Sequence, residues 1–157
     1  MIPFRPITNH VNEDRAYYVD GNHFIKADSN LGRGRHEADV LTFLETAWYA
    51  PTIVSSWVGE GAHFIRMTLI PGDTLENILG SLDDYERRAV SKQLLKITAD
   101  LLDRGIVHGD LNVSNVLFDR VNGKVYVIDY ETAIREDSFR DIHGPQWGLI
   151  DLLGRLK

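Results

Sequence analysis

The segment His108-Gly109-Asp110-Leu111-Asn112-Val113-Ser114-Asn115 is followed, fourteen positions after Asn115, by Asp129 at the end of the apolar run Val125-Tyr126-Val127-Ile128. Residues of these types can run a phosphoryl transfer. That chemistry needs a carboxylate to orient or deprotonate a hydroxyl, and oxygen ligands for the magnesium that bridges the phosphates. Asp110, Asn115 and Asp129 supply them. A second pair stands in the N-terminal half. Lys26 sits in an apolar run beside Phe24 and Ile25, and Glu37, eleven residues later, shares a helical face with Val40, Leu41 and Leu44. A carboxylate on such a face is buried at a cost unless it is paired, and Lys26 is the obvious partner. Three alternatives stay open: a lysine snorkelling from a strand edge, Glu45 as the partner, and a helix-capping role for Glu37.

The elements that must position these groups can be read from pattern. Residues 16–19 and 23–27 flank Asp20-Gly21-Asn22, which predicts a hairpin. From Glu37 the set Val40, Leu41, Leu44 and Trp48 recurs at helical spacing and stops before Pro51. Residues 52–58 and 63–70, separated by Gly-Glu-Gly-Ala, predict a second strand pair ending at Pro71-Gly72. With residues 4–8 as a first strand, the N-terminal part becomes a five-stranded sheet with one helix. Beyond the turn, Asp83 and Glu86 form a capping-box start. Ala89 or Val90, Leu94, Ile97 and Leu101 mark a buried stripe running to Gly105. Ile106-Val107, Val116-Leu117-Phe118 and the run ending at Ile128 are short strands, the last two joined through Asn122-Gly123. A boundary at Pro71-Gly72-Asp73 is the natural place for a ligand.

Composition narrows the classes. The 157 residues carry 17 basic and 23 acidic side chains, a formal charge of −6, with 43% hydrophobic residues, as in an ordinary globular domain. The acidic balance argues against a general nucleic-acid binder. Cysteine is absent, which removes disulfide scaffolds, Cys-based zinc sites and thiol nucleophiles. No window approaches about 18 consecutive apolar residues, and the N-terminal stretch lacks a signal-peptide core, so the expectation is a soluble, intracellular protein.

The loop at 108–115 follows the pattern H-R-D-x-x-x-x-N, with Gly109 in place of the Arg, and so resembles the catalytic loop of the protein-kinase-like superfamily. Its HGDL…N form is particularly similar to small atypical members: RIO kinases, the Bud-type kinase of the tRNA-modification complex, aminoglycoside phosphotransferases and the minimal kinases injected by bacterial pathogens. The resemblance covers roughly residues 16–130 and is most specific over 106–129. It implies an α+β, two-lobed kinase-like fold in one domain, 1–157. The N-lobe, 1–70, would be an antiparallel sheet with one helix, and the C-lobe, 71–157, a strongly truncated helical lobe. By the same resemblance Asp110 is the catalytic base, Asn115 a metal ligand and Asp129 the principal magnesium ligand. Lys26, paired with Glu37, holds the α- and β-phosphates of ATP. His108 braces the loop, with metal binding as its competing role. Residues 66–72 resemble a kinase hinge, with Met67 as gatekeeper and the backbones of Thr68 and Ile70 facing the adenine. The alternative there is an edge strand ending at a proline turn. Asp73 reaches a ribose hydroxyl or caps a helix. ATP and Mg2+ are the implied cofactors. Kinases with Arg at the position of Gly109 often need an activation-loop phosphate to neutralise it, so constitutive activity is expected here.

The departures are equally legible. No glycine occurs in Thr8-Asn9-His10-Val11-Asn12-Glu13-Asp14, where a kinase uses a Gly-rich turn to bring backbone amides onto the phosphates. Asn112 and Ser114 stand where protein kinases commonly carry Lys or Arg, leaving charge compensation to magnesium and Lys26. Asp129-Tyr130-Glu131 replaces Asp-Phe-Gly, which lowers the expected flexibility there, and Glu131 adds a carboxylate near the metal. Only 28 residues follow Asp129, too few for an activation segment and the helices that hold peptide substrates. The tail 147–156 predicts one helix beneath the catalytic loop, with Asp141 or Asp151 as an anchor. The first reading is therefore a minimal ATP- and Mg-dependent serine/threonine protein kinase of the cytoplasm, or of a host cytosol if secreted. Its protein substrate is unidentified, and a docking partner would replace the missing helices; neither nucleic acid nor membrane is a partner. The alternatives are a catalytically weak or inactive nucleotide- or partner-binding module and a small-molecule phosphotransferase.

Overall fold

Alternating apolar residues on both sides of a glycine turn make a hairpin, and the first half of the chain does this twice. The computed structural model describes residues 5–6, 14–135 and 147–157. Its contacts divide the chain into two compact units, Met1–Leu69 and Ile70–Lys157.

In the first unit β1 (Arg5–Pro6), β2 (Arg15–Asp20), β3 (His23–Asp28), β4 (Ile53–Gly59) and β5 (Ala62–Thr68) form one antiparallel sheet in the order β1-β2-β3-β5-β4. The β2–β3 loop is two residues long and begins with Gly21 at φ 58°. The β4–β5 loop is Glu60-Gly61, both left-handed, as a type I′ turn requires. β1 falls inside the expected strand at 4–8, whose residues 4, 7 and 8 lie outside the described residues, as do residues 8–13 of the glycine-free stretch.

Helix α1 (Leu31–Phe43) packs on β3, β4 and β5. Asn30 caps it, its side chain accepting from the Arg33 amide, and Ala38, Val40 and Leu41 are buried. The helix stops earlier than its apolar spacing predicts, and Trp48 is 52% exposed. Successive turns carry the chain on, with Glu45 N donating to Thr42 O, Ala47 N to Leu44 O and Ala50 N to Ala47 O. They bury Ala47, Tyr49 and Ala50. Tyr49, fully enclosed, takes the interior place that the helical spacing assigns to Trp48.

The second unit holds β6 (Asp73–Thr74), α2 (Leu75–Ile78), a 3-10 turn at Leu79–Ser81, α3 (Asp84–Asp103), β7 (Ile106–Val107), β8 (Val116–Asp119), β9 (Lys124–Val127), β10 (Ile134–Arg135) and α4 (Trp147–Arg155). One sheet runs β6-β8-β9 and a second pairs β10 with β7. The predicted capping box of α3 is in place, Asp83 receiving the Glu86 amide and Glu86 receiving that of Asp83. Its stripe Val90, Leu94, Ile97 and Leu101 is buried. Gln93 ties this helix to the β8–β9 hairpin, donating to Gly123 O at 2.8 Å and accepting from Val125 N at 3.0 Å. Asp119 closes the hairpin loop, receiving the amides of Val121 and Asn122 and the Asn122 side chain.

Helix α4 buries Leu149 and Leu152, and Leu156 just past its end is buried as well. It lies directly on the loop at 111, where a Cβ on Gly148 would stand 2.3 Å from Leu111 O. Asp151 is not the expected anchor: it is exposed and pairs with Arg155 one turn on. Asp141 lies outside the described residues. No helix among the described residues is long and apolar enough to cross a membrane.

Candidate functional site

In the first unit the register of β3 places Lys26 opposite Tyr17 on β2 and Ile65 on β5. Its ammonium meets Glu37 on α1, Nζ to Oε2 2.8 Å, with the two side chains only 4% and 3% exposed. The pairing depends on where α1 begins. Buried Asp28 at the end of β3 receives the Arg33 guanidinium through two bonds of 2.6 and 2.8 Å and the Asn30 amide at 2.8 Å. Desolvation alone would raise the Asp28 pKa, but these donors and the nearby Arg15 outweigh it and hold the carboxyl below its usual range. Gly34 then lets the helix close onto β5, since a Cβ there would stand 2.7 Å from His63 Cβ. Glu45 is exposed, and the N-cap is Asn30, so neither alternative for Glu37 holds.

Of the hinge residues in this unit, Met67 is buried at the end of β5. The Thr68 N–H donates to Thr52 O at 2.9 Å. The next amide, Leu69, donates to Asn22 O.

The second unit contains the loop. His108 is 4% exposed, and its ring packs 4.8 Å from that of Tyr130. The Asp110 backbone N–H can only donate, so Nδ1 at 3.3 Å must be the acceptor, and Nε2 carries the proton given to Ile128 O at 2.9 Å. With both nitrogens engaged, His108 braces the loop and has no lone pair left for a metal. Burial pushes its pKa below the ordinary value, against the opposing pull of the Ile128 carbonyl and the carboxylates of Asp129 and Asp110. Gly109 has φ 82°, and a Cβ there would lie 2.3 Å from Thr132 O, so no side chain fits this position.

Asp110 is an exposed residue whose carboxylate is doubly held. Asn115 Nδ2 reaches Oδ2 at 3.0 Å and Asp110 O at 2.9 Å, while Asn112 Nδ2 reaches Oδ1 at 2.9 Å. Asn115 O receives the Ile128 amide at 3.0 Å, which joins the start of β8 to the residue before Asp129. Asp129 itself has φ 65°, a left-handed conformation that costs a non-glycine residue about 1–2 kcal/mol. The turn it makes brings Tyr130, fully buried, onto His108. Carboxylate oxygens of Asp129 and Glu131 lie within 4.8 Å of each other.

Asp110, Asn115 and Asp129 are thus neighbours in one loop cluster of the second unit. Asp73 is exposed and pairs through its backbone with Phe118; the N-cap of α2 is Thr74, so Asp73 is not that cap. Sequence reasoning took Asn112 and Ser114 only as missing cations. The signal that could have found their contact is the Asn-x-Ser spacing of an Asx turn.

A family model described as APH, phosphotransferase enzyme family, matches residues 81–142. The KEOPS complex subunit Bud32 of Pyrococcus abyssi is 36% identical over 83 residues, covering 50% of this chain and 37% of its own. The protein kinase OspG of Shigella flexneri is 25% identical over 103 residues, covering 59% and 50%. This chain therefore spans half or less of the length of these relatives. Among solved structures, the Cydia pomonella granulovirus kinase PK-1 superposes with a TM-score of 0.68 at 18% identity, over 84% of this chain and 53% of that one. The bifunctional kinase-methyltransferase WbdD gives 0.63 at 20% identity, over 78% and 30%. The fold is protein-kinase-like.

Proposed function

We propose that this protein-kinase-like chain is a minimal kinase that moves the γ-phosphoryl group of ATP to a serine or threonine hydroxyl of a protein. The observation that carries the reading is the Asp110 carboxylate, fixed in the loop by two amide side chains next to a strand end that presents Asp129.

The donor set fits magnesium: the Asn115 amide oxygen and the Asp129 and Glu131 carboxylates are hard oxygen ligands. Asn115 gives its nitrogen to Asp110, which turns its oxygen away from that carboxylate and toward other use. When bound, the ion would neutralise phosphate charge that no Lys or Arg at 112 or 114 is present to meet. Lys26 would hold the α- and β-phosphates, its ammonium positioned by Glu37. Asp110 would accept the hydroxyl proton as the oxygen bonds to the γ-phosphorus; the bond from that phosphorus to the β,γ-bridging oxygen breaks, and ADP leaves. Position 109 has no arginine to be neutralised, so the reading includes activity without prior loop phosphorylation.

The matched family description favours a second reading, transfer to a small molecule. Incubation with γ-labelled ATP and magnesium separates the readings, using casein, a cell lysate and the low-mass fraction of that lysate as acceptors. Labelled protein from wild type and none from Asp110→Ala is the expected result. Label confined to the low-mass fraction would replace protein by small molecule. No label anywhere, despite ATP binding, would leave a nucleotide-binding module.

A further inference from the structure

We propose that Asn112 is a positioning residue for this transfer: its side-chain amide fixes the rotamer of the Asp110 carboxylate in place of a basic residue. The inference rests on the phosphotransferase reading and extends it to a side chain that the loop pattern leaves unassigned.

The orientation of the Asn112 amide follows from its neighbours. The Ser114 backbone N–H, which can only donate, points at Asn112 Oδ1 at 2.9 Å, and the Ser114 hydroxyl donates to the same oxygen at 2.6 Å. The nitrogen must then be the atom facing Asp110, 2.9 Å from Oδ1. Asn115 Nδ2 holds the other carboxylate oxygen at 3.0 Å. One donor on each oxygen fixes the plane of the carboxylate, because rotation about either side-chain bond breaks at least one of them. A neutral amide holds the carboxylate by a hydrogen bond without placing a full positive charge beside it. The second lone pair of each oxygen stays available to an incoming hydroxyl.

The competing role is local: closing the turn with Ser114 and nothing more. Two substitutions separate the roles. Asn112→Asp keeps the oxygen that receives the Ser114 N–H and hydroxyl but offers Asp110 no donor and a like charge. Asn112→Lys loses the turn and restores a donor. If Asn112 positions the base, N112D melts close to wild type and keeps its KM for ATP, while kcat falls about 10- to 100-fold. N112K then recovers activity relative to Asn112→Ala. Independently of turnover, the side-chain amide proton resonances of Asn112 should shift in Asp110→Ala. Wild-type kcat in N112D, with N112K no better than N112A, overturns the inference and leaves the reading standing. A wild type that binds ATP with magnesium and transfers to no acceptor, water included, overturns the reading and this role with it.

Discussion

The imidazole of His108 is a proton-sensitive member of the loop core. Its Nδ1 lone pair receives the Asp110 amide, so protonation there removes a bond and places a charge among buried groups. Burial depresses the folded-state pKa, while the unfolded value is about 6.5. Between the two values the unfolded chain binds more protons. The contribution to stability is therefore complete above the unfolded value and declines as pH falls below it toward the folded one. The melting temperature should drop from about pH 7 to pH 5, and the drop should be shallower in His108→Gln, although that variant starts lower. Thermal melts across this range check it; equal slopes in the two proteins would remove His108 as a source. At this scale the sequence exposed residues whose type is tied to chemistry, such as Asp110, Asn115, Asp129 and the Lys26–Glu37 pair. It hid Asn112, because an asparagine two residues before a serine reads as turn polarity until the direction of its amide is known. It also hid Asp119, whose three bonds lie within its own hairpin loop.

Helix α1 shows what pattern can and cannot convey about an element. Apolar spacing correctly put Glu37, Val40, Leu41 and Leu44 on the interior side. Its end was misread, because Tyr49 and Trp48 are both large and aromatic, and only packing decides which is enclosed. Two glycines, Gly32 and Gly34, stand near its beginning, and they have opposite meanings. Gly32 has only Asn30 Oδ1, at 3.5 Å, near the place of a Cβ, an ordinary contact. Gly34 would drive a Cβ to 2.7 Å from His63 Cβ, which is anchored to β5 and cannot swing away. Gly32→Ala should therefore stabilise the chain by up to about 1 kcal/mol through helix propensity. Gly34→Ala should destabilise it by about 1–3 kcal/mol through overpacking, and by lifting α1 should lengthen the Lys26–Glu37 contact. Chemical denaturation of the two variants tests the pair, and the same sign for both would contradict the close approach of α1 to β5.

Across the whole molecule the two units carry complementary groups: a buried lysine in the first, and a base with oxygen ligands in the second. If both act on one nucleotide, ATP with magnesium should stabilise the chain by about 3 kcal/mol at 100 times its Kd. Chelating the magnesium should remove that gain. Asp129→Ala should lose it while folding normally without ligand, whereas Asp110→Ala should keep it. Lys26→Met needs a further control, because removing the lysine strands a buried carboxylate and costs about 3–5 kcal/mol by itself. Replacing a buried ion pair by apolar residues of similar volume is often neutral, so Lys26→Met with Glu37→Met should recover the unliganded stability and still show no gain from ATP. Differential scanning calorimetry with and without Mg-ATP reads both quantities in one series. A double variant that regained its ATP response along with its stability would show that Lys26 holds the helix and not the phosphates.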